Sequence, residues 1–368
     1  MLARRLARMQ AALQQASLDA LLLNPGPTMV YASGLVFHLM ERPVVFVIPA
    51  SGMPALILPE FERTKGEACP LRPALFTYTE DPASRQATFE AAARQLGLPG
   101  QRLGVEPLRL RVFELRLLEA SAPGAQFASA EDLISGLRVA KDLAEVETMR
   151  RAVLAAEAAF RATVPLIQLG MTERDLASEL TVQLLRAGSE SELPFPPIVA
   201  SGPNSALPHG VPTDRRLQRG DQLIIDWGAT VEGYISDLTR TLALAPLDPE
   251  LGRVHAIVLE ANQAGRSAAR SGIACAEVDR AARHVIDAAG YGAQFTHRTG
   301  HGIGMEAHEP PYIRGDNLDL LAPGMTFTVE PGVYLEGRGG VRIEDNIVIT
   351  PEGAESLSTL DRSLSVIG

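Results

Sequence analysis

Residues 226–237 read Asp-Trp-Gly-Ala-Thr-Val-Glu-Gly-Tyr-Ile-Ser-Asp and place two aspartates eleven positions apart inside an apolar segment. The flanking stretches 223–225 and 238–244 are rich in β-forming residues, and Val-Glu-Gly at 231–233 supplies a turn. The pattern predicts a buried β-hairpin in which the two aspartates face each other across the turn. Aspartate is rarely buried without a partner, so this pair needs a cation, a hydrogen-bond network or a shared proton. A cation would require further ligands elsewhere in the chain.

Length and composition narrow the class of protein. A chain of 368 residues predicts two domains, because single cores rarely grow so large. The formal net charge of -10 disfavours nucleic acid and an anionic membrane surface as partners. No apolar run reaches the roughly 18 residues of a membrane span. Two cysteines, Cys69 and Cys275, are too few for a disulfide framework and fit a reducing compartment, so we expect a cytoplasmic protein.

Residues 1–130 alternate predicted strands with predicted helices, which is typical of a small three-layer α/β domain. Residues 1–16 have helical spacing of leucine and methionine, and they run into a strand without a small-residue cleavage site. We therefore favour a surface helix over a transit peptide. His38 is either a loop histidine or a contribution to a neighbouring active site. Strands are predicted at 19–23, 44–48, 55–58 and 102–106, and helices at 82–96 and 110–120.

Residues 131–368 form the second predicted domain, with the order helices, hairpin, helices, strands. Long helical patterns start at Asp142 and at Thr172, where Asp175 three positions on indicates a capping box. Two more helices are predicted at about 249–271 and 277–289. His255 and His284 lie in these last two helices, and we interpret both as ordinary packing or surface residues.

Three further stretches carry ligand-type residues in strand or turn contexts: TGHGIGMEAHEPP at 299–311, TVEPG at 328–332 and GGVRIED at 339–345. With the hairpin they give a set of four carboxylates and one imidazole. Taken singly, each residue is more simply explained as structural, but five together in apolar or glycine-rich contexts are not. The set is Asp226, Asp237, His301, Glu330 and Glu344.

These residue types have more oxygen donors and anions than a closed zinc site. They suit two divalent ions about 3.5–4 Å apart, between which a bridging water becomes a hydroxide nucleophile near neutral pH. Oxygen-rich ligation favours manganese, while cobalt, iron and zinc also fit.

Four blocks resemble, in this order, the motifs of the pita-bread metallopeptidases: DWGATVEGYISDLTRT, TGHGIGMEAHEPP, TVEPGVYL and GGVRIEDN. They are most similar to the Xaa-Pro branch, which comprises proline dipeptidase and aminopeptidase P. The resemblance extends from about residue 140 to residue 368, and residues 1–130 resemble more weakly the creatinase-like domain of the same branch. It implies a mixed α/β (α+β) protein, with a small creatinase-like three-layer N-terminal domain before a pita-bread catalytic domain.

The resemblance implies a role for each of the five ligand-type residues. Asp226 would bind one metal through both oxygens, and Asp237 and Glu344 would bridge the two metals. His301 and Glu330 would complete the second metal. Glu330 would also take a proton from the attacking water, a role that suits a carboxylate at that position.

Further roles follow from the same resemblance. His209 and His308 would bind substrate by donating hydrogen bonds to the scissile carbonyl and its oxyanion. His297 would line the pocket for the substrate proline. Arg342 would orient Glu344 or help to hold the substrate.

The implied activity is hydrolysis of the peptide bond before proline by attack of a metal-bridging hydroxide. The substrates would be peptides with proline at the second position, and the branch usually forms homodimers. A dipeptidase needs a cation for the substrate carboxylate, and Arg314 and Arg338 are candidates, whereas an aminopeptidase P needs an open site. A methionine-aminopeptidase-like hydrolase is disfavoured by the extra N-terminal domain and the HEPP and GGVRIED blocks. A metal-free creatinase-like enzyme or binding scaffold is disfavoured because all five ligands are present.

Overall fold

The computed structural model describes residues 1–368, which divide into two compact units, Met1–Arg138 and Val139–Gly368. The helix Glu131–Arg138 belongs to the first unit, whereas the second predicted domain begins at residue 131. Neither unit has a helix with both the length and the apolar composition needed to cross a bilayer.

The first unit is a six-stranded mixed sheet with six helices, in the strand order β4-β3-β2-β1-β5-β6. Its core lies on the sheet and includes Leu22, Ile57, Phe89 and Leu118. The elements are α1 (Leu2–Gln15), β1 (Ala20–Leu23), α2 (Pro27–Ser33), β2 (Val45–Pro49), β3 (Ala55–Pro59), α3 (Arg63–Glu67), β4 (Ala74–Tyr78), α4 (Pro82–Gln95), β5 (Arg102–Val105), α5 (Val112–Ser121), β6 (Gln126–Ser129) and α6 (Glu131–Arg138), with a 3-10 turn at Glu60–Glu62.

The predicted strands and helices of this unit are confirmed, but the edge strands β4 and β6 and the helices α2, α3 and α6 are additional. Both edge strands are only partly buried, so they lack the continuous apolar run by which β1 and β3 are visible in the sequence. The residues before α2 include the Asn-Pro-Gly-Pro turn signal, which hides a short helix that begins at Pro27.

The second unit contains four long helices and thirteen strands. They are α7 (Leu143–Thr163), α8 (Glu173–Arg186), β7 (Ile198–Ser201), β8 (Gln222–Trp227), β9 (Thr230–Val231), β10 (Tyr234–Ile235), β11 (Leu238–Leu244), α9 (Pro249–Ala268), α10 (Cys275–Ala288), β12 (Gly300–Gly302), β13 (Glu309–Ile313), β14 (Thr326–Val329), β15 (Gly332–Leu335), β16 (Gly339–Arg342), β17 (Asp345–Thr350), β18 (Gly353–Ser356) and β19 (Ser365–Ile367), with 3-10 turns at Val164–Leu166, Gly202–Ala206 and Gly292–Gln294.

Two helix pairs cover two sheets in this unit. Helices α7 and α8 pack on the four-stranded sheet β19-β11-β8-β7, where Phe160 stacks on Trp227 with ring centroids 4.5 Å apart. The Trp227 indole donates to the Ala156 carbonyl, which ties β8 to α7. Residues of α10 pack with the five-stranded sheet β13-β12-β14-β17-β18. The predicted capping box of Thr172 and Asp175 starts α8.

The predicted hairpin is present, but its register differs from the expectation. In the antiparallel pair β8–β11, Asp226 lies opposite Thr239, and Asp237 precedes β11. The intervening residues form the small ribbon β9–β10, whose turn residues Glu232 and Gly233 both have positive φ, 50° and 74°. The two aspartates therefore do not face each other across the turn, because the ribbon extends beyond the main strand pair.

Candidate active site

All five ligand-type residues predicted from the sequence converge in the second unit. Asp226 is the penultimate residue of β8 and Asp237 precedes β11, so these two come from the four-stranded sheet. His301 lies in β12, Glu330 follows β14, and Glu344 precedes β17, so these three belong to the five-stranded sheet and its connections. The site thus lies between the two sheets.

The distances within this cluster are short. Donor atoms of Asp237, His301 and Glu344 all lie within 4.8 Å of one another. His301 Nε2 is 3.7 Å from Asp237 Oδ2 and 3.3 Å from Glu330 Oε1. Asp226 is joined to Glu344 through Arg342 and Thr239, so it belongs to the same group. Burial raises the pKa of Asp237, and repulsion by Glu344 and Asp226 adds to that effect. The side chains are largely buried, and Glu330 is the most accessible of those measured, with 16% of its side chain exposed.

Arg342 organises the carboxylates, although not in the way expected from the sequence. Its Nη2 donates to Asp226 Oδ2 at 2.6 Å, so its direct partner is Asp226. It reaches Glu344 through Thr239, whose hydroxyl accepts from Arg342 Nε at 3.1 Å and donates to Glu344 Oε2 at 2.7 Å. Arg342 is therefore a neighbour of two ligand-type residues, one contacted directly and one through Thr239.

Asp237 is held by its backbone. The side-chain amide of Asn346 accepts from the Asp237 N–H at 3.1 Å and donates to the Asp237 carbonyl at 2.6 Å. Both atoms of the fully buried amide are used, so Asn346 fixes the strand entry that carries the carboxylate.

The electrostatics of the cluster oppose ionisation of its carboxyl groups. Burial and the neighbouring carboxylates raise the pKa of Asp237 and of Glu344 well above the usual range. Burial, with Asp226 as a further contribution, raises the pKa of Glu330 to about 7, against the opposing effect of Arg342. Such repulsion between buried acids is relieved by cations.

Two donor atoms are suitable for cation binding. His301 Nδ1 lies 3.2 Å from the Gly302 carbonyl, which assigns the ring proton to Nδ1 and leaves the Nε2 lone pair towards the carboxylates. Burial lowers the pKa of His301 well below its usual range, so the ring is neutral. Asp226 Oδ1 is buried and has no hydrogen-bond partner. A lone pair that faces carboxylates and an unpartnered buried oxygen fit a site for divalent metal ions.

The other predicted histidines surround this cluster. The His308 ring lies 4.1 Å from that of His301, and both His308 and His209 are solvent-accessible. Partial burial and the nearby Arg298 lower the pKa of His308. His297 Nδ1 donates to the Arg298 carbonyl at 2.7 Å, and its Nε2 accepts from the Tyr334 hydroxyl at 2.9 Å. Because both ring nitrogens are used, His297 offers a substrate its ring surface.

Tyr334 was not predicted as a site residue, yet its hydroxyl also accepts from Arg342 Nη1 at 2.9 Å and so connects His297 to the carboxylates. Its place within the TVEPGVYL block was the available signal. Arg298 was also missed, because an arginine between a histidine and a threonine has no distinctive pattern.

The predicted cations Arg314 and Arg338 are both exposed. Arg314 is paired with Asp316, and Arg338 is paired with Asp248 and Glu250.

Three of the seven histidines remain. His255 is buried in α9, His284 is exposed on α10, and His38 is exposed in a loop of the first unit.

Comparison with known proteins identifies the family. The profile of Metallopeptidase family M24 matches residues 147–351, more than half of the chain. The chain belongs to metallopeptidase family M24. A second profile, the Creatinase/Prolidase N-terminal domain, matches residues 5–140. The predicted family and fold class are confirmed, and so is the enzyme class, a metallo-exopeptidase.

This M24 protein is similar to both dipeptidases and aminopeptidases. The probable dipeptidase PepE of Mycobacterium bovis is 35% identical over 99% of this chain and 96% of its own. The crystal structure of a prolidase from Thermococcus sibiricus superposes with a TM-score of 0.95 at 31% identity, covering 100% and 99% of the two chains. The crystal structure of an X-Pro aminopeptidase from Thermotoga maritima superposes with a TM-score of 0.86 at 32% identity, covering 98% of this chain and 99% of the aminopeptidase chain.

Proposed function

We propose that this M24 member is a two-metal exopeptidase that hydrolyses the peptide bond before proline. The observation that carries the proposal is the convergence of three carboxylates and one neutral imidazole between the two sheets, to which the Asp226 carboxylate is joined through Arg342 and Thr239. The names of the similar proteins, which include a prolidase and an X-Pro aminopeptidase, support the proline preference.

The five residues would hold two divalent ions, with Asp226 on one metal, Asp237 and Glu344 shared, and His301 and Glu330 on the other. Bound there, the ions would supply Lewis-acid polarisation and a hydroxide at neutral pH. The oxygen-rich donor set favours manganese over cobalt, iron or zinc. Metal content can be measured on protein purified without chelator. Absence of stoichiometric metal, together with no hydrolysis after manganese is added, would contradict the proposal.

The chain's own groups supply the proton transfers and the binding of the carbonyl. Glu330 is the most accessible carboxylate of the cluster, which suits it to accept a proton from the attacking water and return it to the leaving nitrogen. His209 and His308, both open to solvent, would donate hydrogen bonds to the carbonyl oxygen as negative charge develops on it.

The ring of His297 would line the proline pocket. Phe295 lies edge-on to His297 at 5.1 Å, and Tyr334 fixes the imidazole from the other side. An Xaa-Pro amide has no N–H, so a pocket bounded by ring surfaces loses nothing by its absence, whereas a site that needs this donor would reject it.

Within this class we favour a dipeptidase, because Arg298 has the properties of a carboxylate-binding group. Its guanidinium lies over the Tyr312 ring, 4.7 Å from the centroid, and forms no ion pair. The backbone carbonyl of Arg298 accepts from His297, which places Arg298 beside the candidate proline pocket. Its charge also contributes, after the larger effect of burial, to the pKa shifts of Glu330, His301 and His308. An arginine without an anion at this position suits the carboxylate of a C-terminal proline.

The test compares an Xaa-Pro dipeptide with the Xaa-Pro-Yaa tripeptide that has the same first residue. We expect faster cleavage of the dipeptide, and Arg298→Met to raise its KM about 10- to 100-fold, as expected for loss of charge-assisted hydrogen bonds. Arg314→Met is the matched control, because Arg314 is exposed and paired with Asp316. Faster cleavage of the tripeptide would show an aminopeptidase P instead.

We also propose a homodimer in the cytoplasm. Val36, Leu39 and Met40 are apolar and exposed in the first unit beside His38, which suits a surface covered by another chain. Replacing the three residues by serine should lower the molecular mass measured by light scattering from that of a dimer to that of a monomer. An unchanged mass would show that these residues do not form the dimer interface. The buried thiols Cys69 and Cys275 are both free, in keeping with a reducing compartment.

A further inference from the structure

The carboxylate of Glu173 is fully buried at the first residue of α8, far along the chain from the ligand-type residues. It accepts hydrogen bonds from five donor groups, which leaves no lone-pair direction unused. The donors are Ser201 N at 2.7 Å, Ser201 Oγ at 2.8 Å, Asn204 Nδ2 at 3.2 and 3.1 Å, Thr213 N at 2.9 Å and Thr213 Oγ1 at 2.6 Å.

These donors lie at the two ends of one loop, residues 201–213. Oxygen Oε1 binds the start of the loop at Ser201, and Oε2 binds its end at Thr213. One carboxylate thereby closes the loop onto a helix terminus. Arg215 donates to Ser201 Oγ at 2.6 Å and pairs with Asp221, which brings a cation close to the buried Glu173 anion.

The middle of the loop contacts the strand that leads to the active site. Ser205 Oγ accepts from the Gly340 N–H at 2.9 Å, and a Cβ at Gly340 would lie 2.1 Å from the Ser205 carbonyl, so loop and strand touch. The Pro208 carbonyl accepts from Arg342 Nη1 at 3.0 Å. The next residue is His209, and its position therefore depends on the closure of the loop.

We propose that Glu173 is a positioning residue for catalysis, which fixes both ends of the 201–213 loop so that His209 faces the scissile carbonyl. Glu173 itself touches neither substrate nor metal ligand. The inference rests on the proposed role of His209, and it explains why a helix N-terminus carries a carboxylate buried away from solvent.

The test is Glu173→Gln, which keeps the size of the side chain but replaces one acceptor oxygen by a donor. If Glu173 acts through His209, the change should lower kcat for an Xaa-Pro dipeptide about tenfold with KM nearly constant. This is less than the roughly 100- to 1,000-fold cost of removing an oxyanion donor, because His209 would be displaced and not removed. In a His209→Ala background, Glu173→Gln should lower kcat less than about twofold, because the contact between His209 and the scissile carbonyl is already absent. Equal losses in both backgrounds would overturn the proposal.

Glu157→Gln is the matched control. Glu157 is also fully buried in a helix and accepts from Thr359 N, Thr359 Oγ1 and Leu360 N, but these hold the C-terminal segment. Its effect on kcat should be the same with and without His209. A coupling of Glu157 to His209 as large as that of Glu173 would show a general loss of stability and overturn the proposal.

Hydrogen exchange tests the same inference without any substrate. Amides of residues 201–213 should exchange faster in the Glu173→Gln protein than in wild type and the Glu157→Gln protein. Unchanged exchange would overturn the proposal. If wild type cleaves no Xaa-Pro peptide, the proposed function fails, while this measurement still reports on Glu173. Should Glu173→Gln not fold, Thr213→Val removes one donor and should give the same pattern with smaller changes.

Discussion

Replacing Lys141 by methionine would remove the ammonium group that pairs with the buried Glu309 carboxylate. Nζ lies 2.6 Å from Glu309 Oε1, and the two side chains are 2% and 6% exposed. Methionine retains most of the aliphatic stem, so the change isolates the charge. Removal of one partner from a buried pair costs about 3–5 kcal/mol, and we expect the free energy of unfolding of the second unit to fall by that amount.

The assay is urea unfolding followed by tryptophan fluorescence. The chain has one tryptophan, Trp227, which is fully buried in the second unit and reports on that unit alone. The double variant Lys141→Met/Glu309→Gln should recover most of the loss, because no net charge stays buried. Arg338→Met is the control, since that arginine is 46% exposed and a surface pair contributes about 0–1 kcal/mol. If Lys141→Met lowers the free energy of unfolding no more than Arg338→Met does, the buried pair contributes no more than a surface pair, contrary to this prediction.

Two further predictions concern metal and pH. Removing metal with a chelator should speed hydrogen exchange of residues 224–238, because repulsion between the buried carboxylates is then no longer offset; unchanged protection would contradict this. Burial lowers the pKa of His255 to about 4. Between this value and the usual pKa of histidine, the ring is protonated in the unfolded chain and neutral in the folded chain. Stability should therefore fall by about 3 kcal/mol as pH drops from 6.5 to 4. His255→Gln should make the free energy of unfolding, measured with urea, depend less on pH in this range. An unchanged dependence would show that other groups cause it.

The ligand-type residues of the candidate site were predictable because each has a local signature. Asp226 and Asp237 stand out in an apolar hairpin, and His301 stands out among glycines. Their spatial convergence followed from the resemblance rather than from spacing. The register of the hairpin could not be predicted, since the short ribbon β9–β10 changes which residue lies opposite Asp226 without altering the alternation of the flanking strands.

Partners distant in sequence could not be predicted in the same way. Lys141 and Glu309 are 168 residues apart, and each looks like an ordinary surface charge in its own context. Glu173 resembles a favourable acidic residue in a first helical turn, which is normally exposed. Only the fold shows that these charges are buried, and because they are buried, removing a partner is expected to affect stability or activity.

The origin of the site residues in two different sheets has a consequence for the protein's lifetime in a cell. Ions held by Asp226 and Asp237 on one side and by His301 and Glu330 on the other would join the two layers of the second unit. Each ion that binds only the folded state then raises the free energy of unfolding by RT ln(1 + [L]/Kd), where [L] is the concentration of free metal ion. We expect molecules made under metal starvation to open more often and to be degraded sooner, so that the abundance of the peptidase would follow the metal supply.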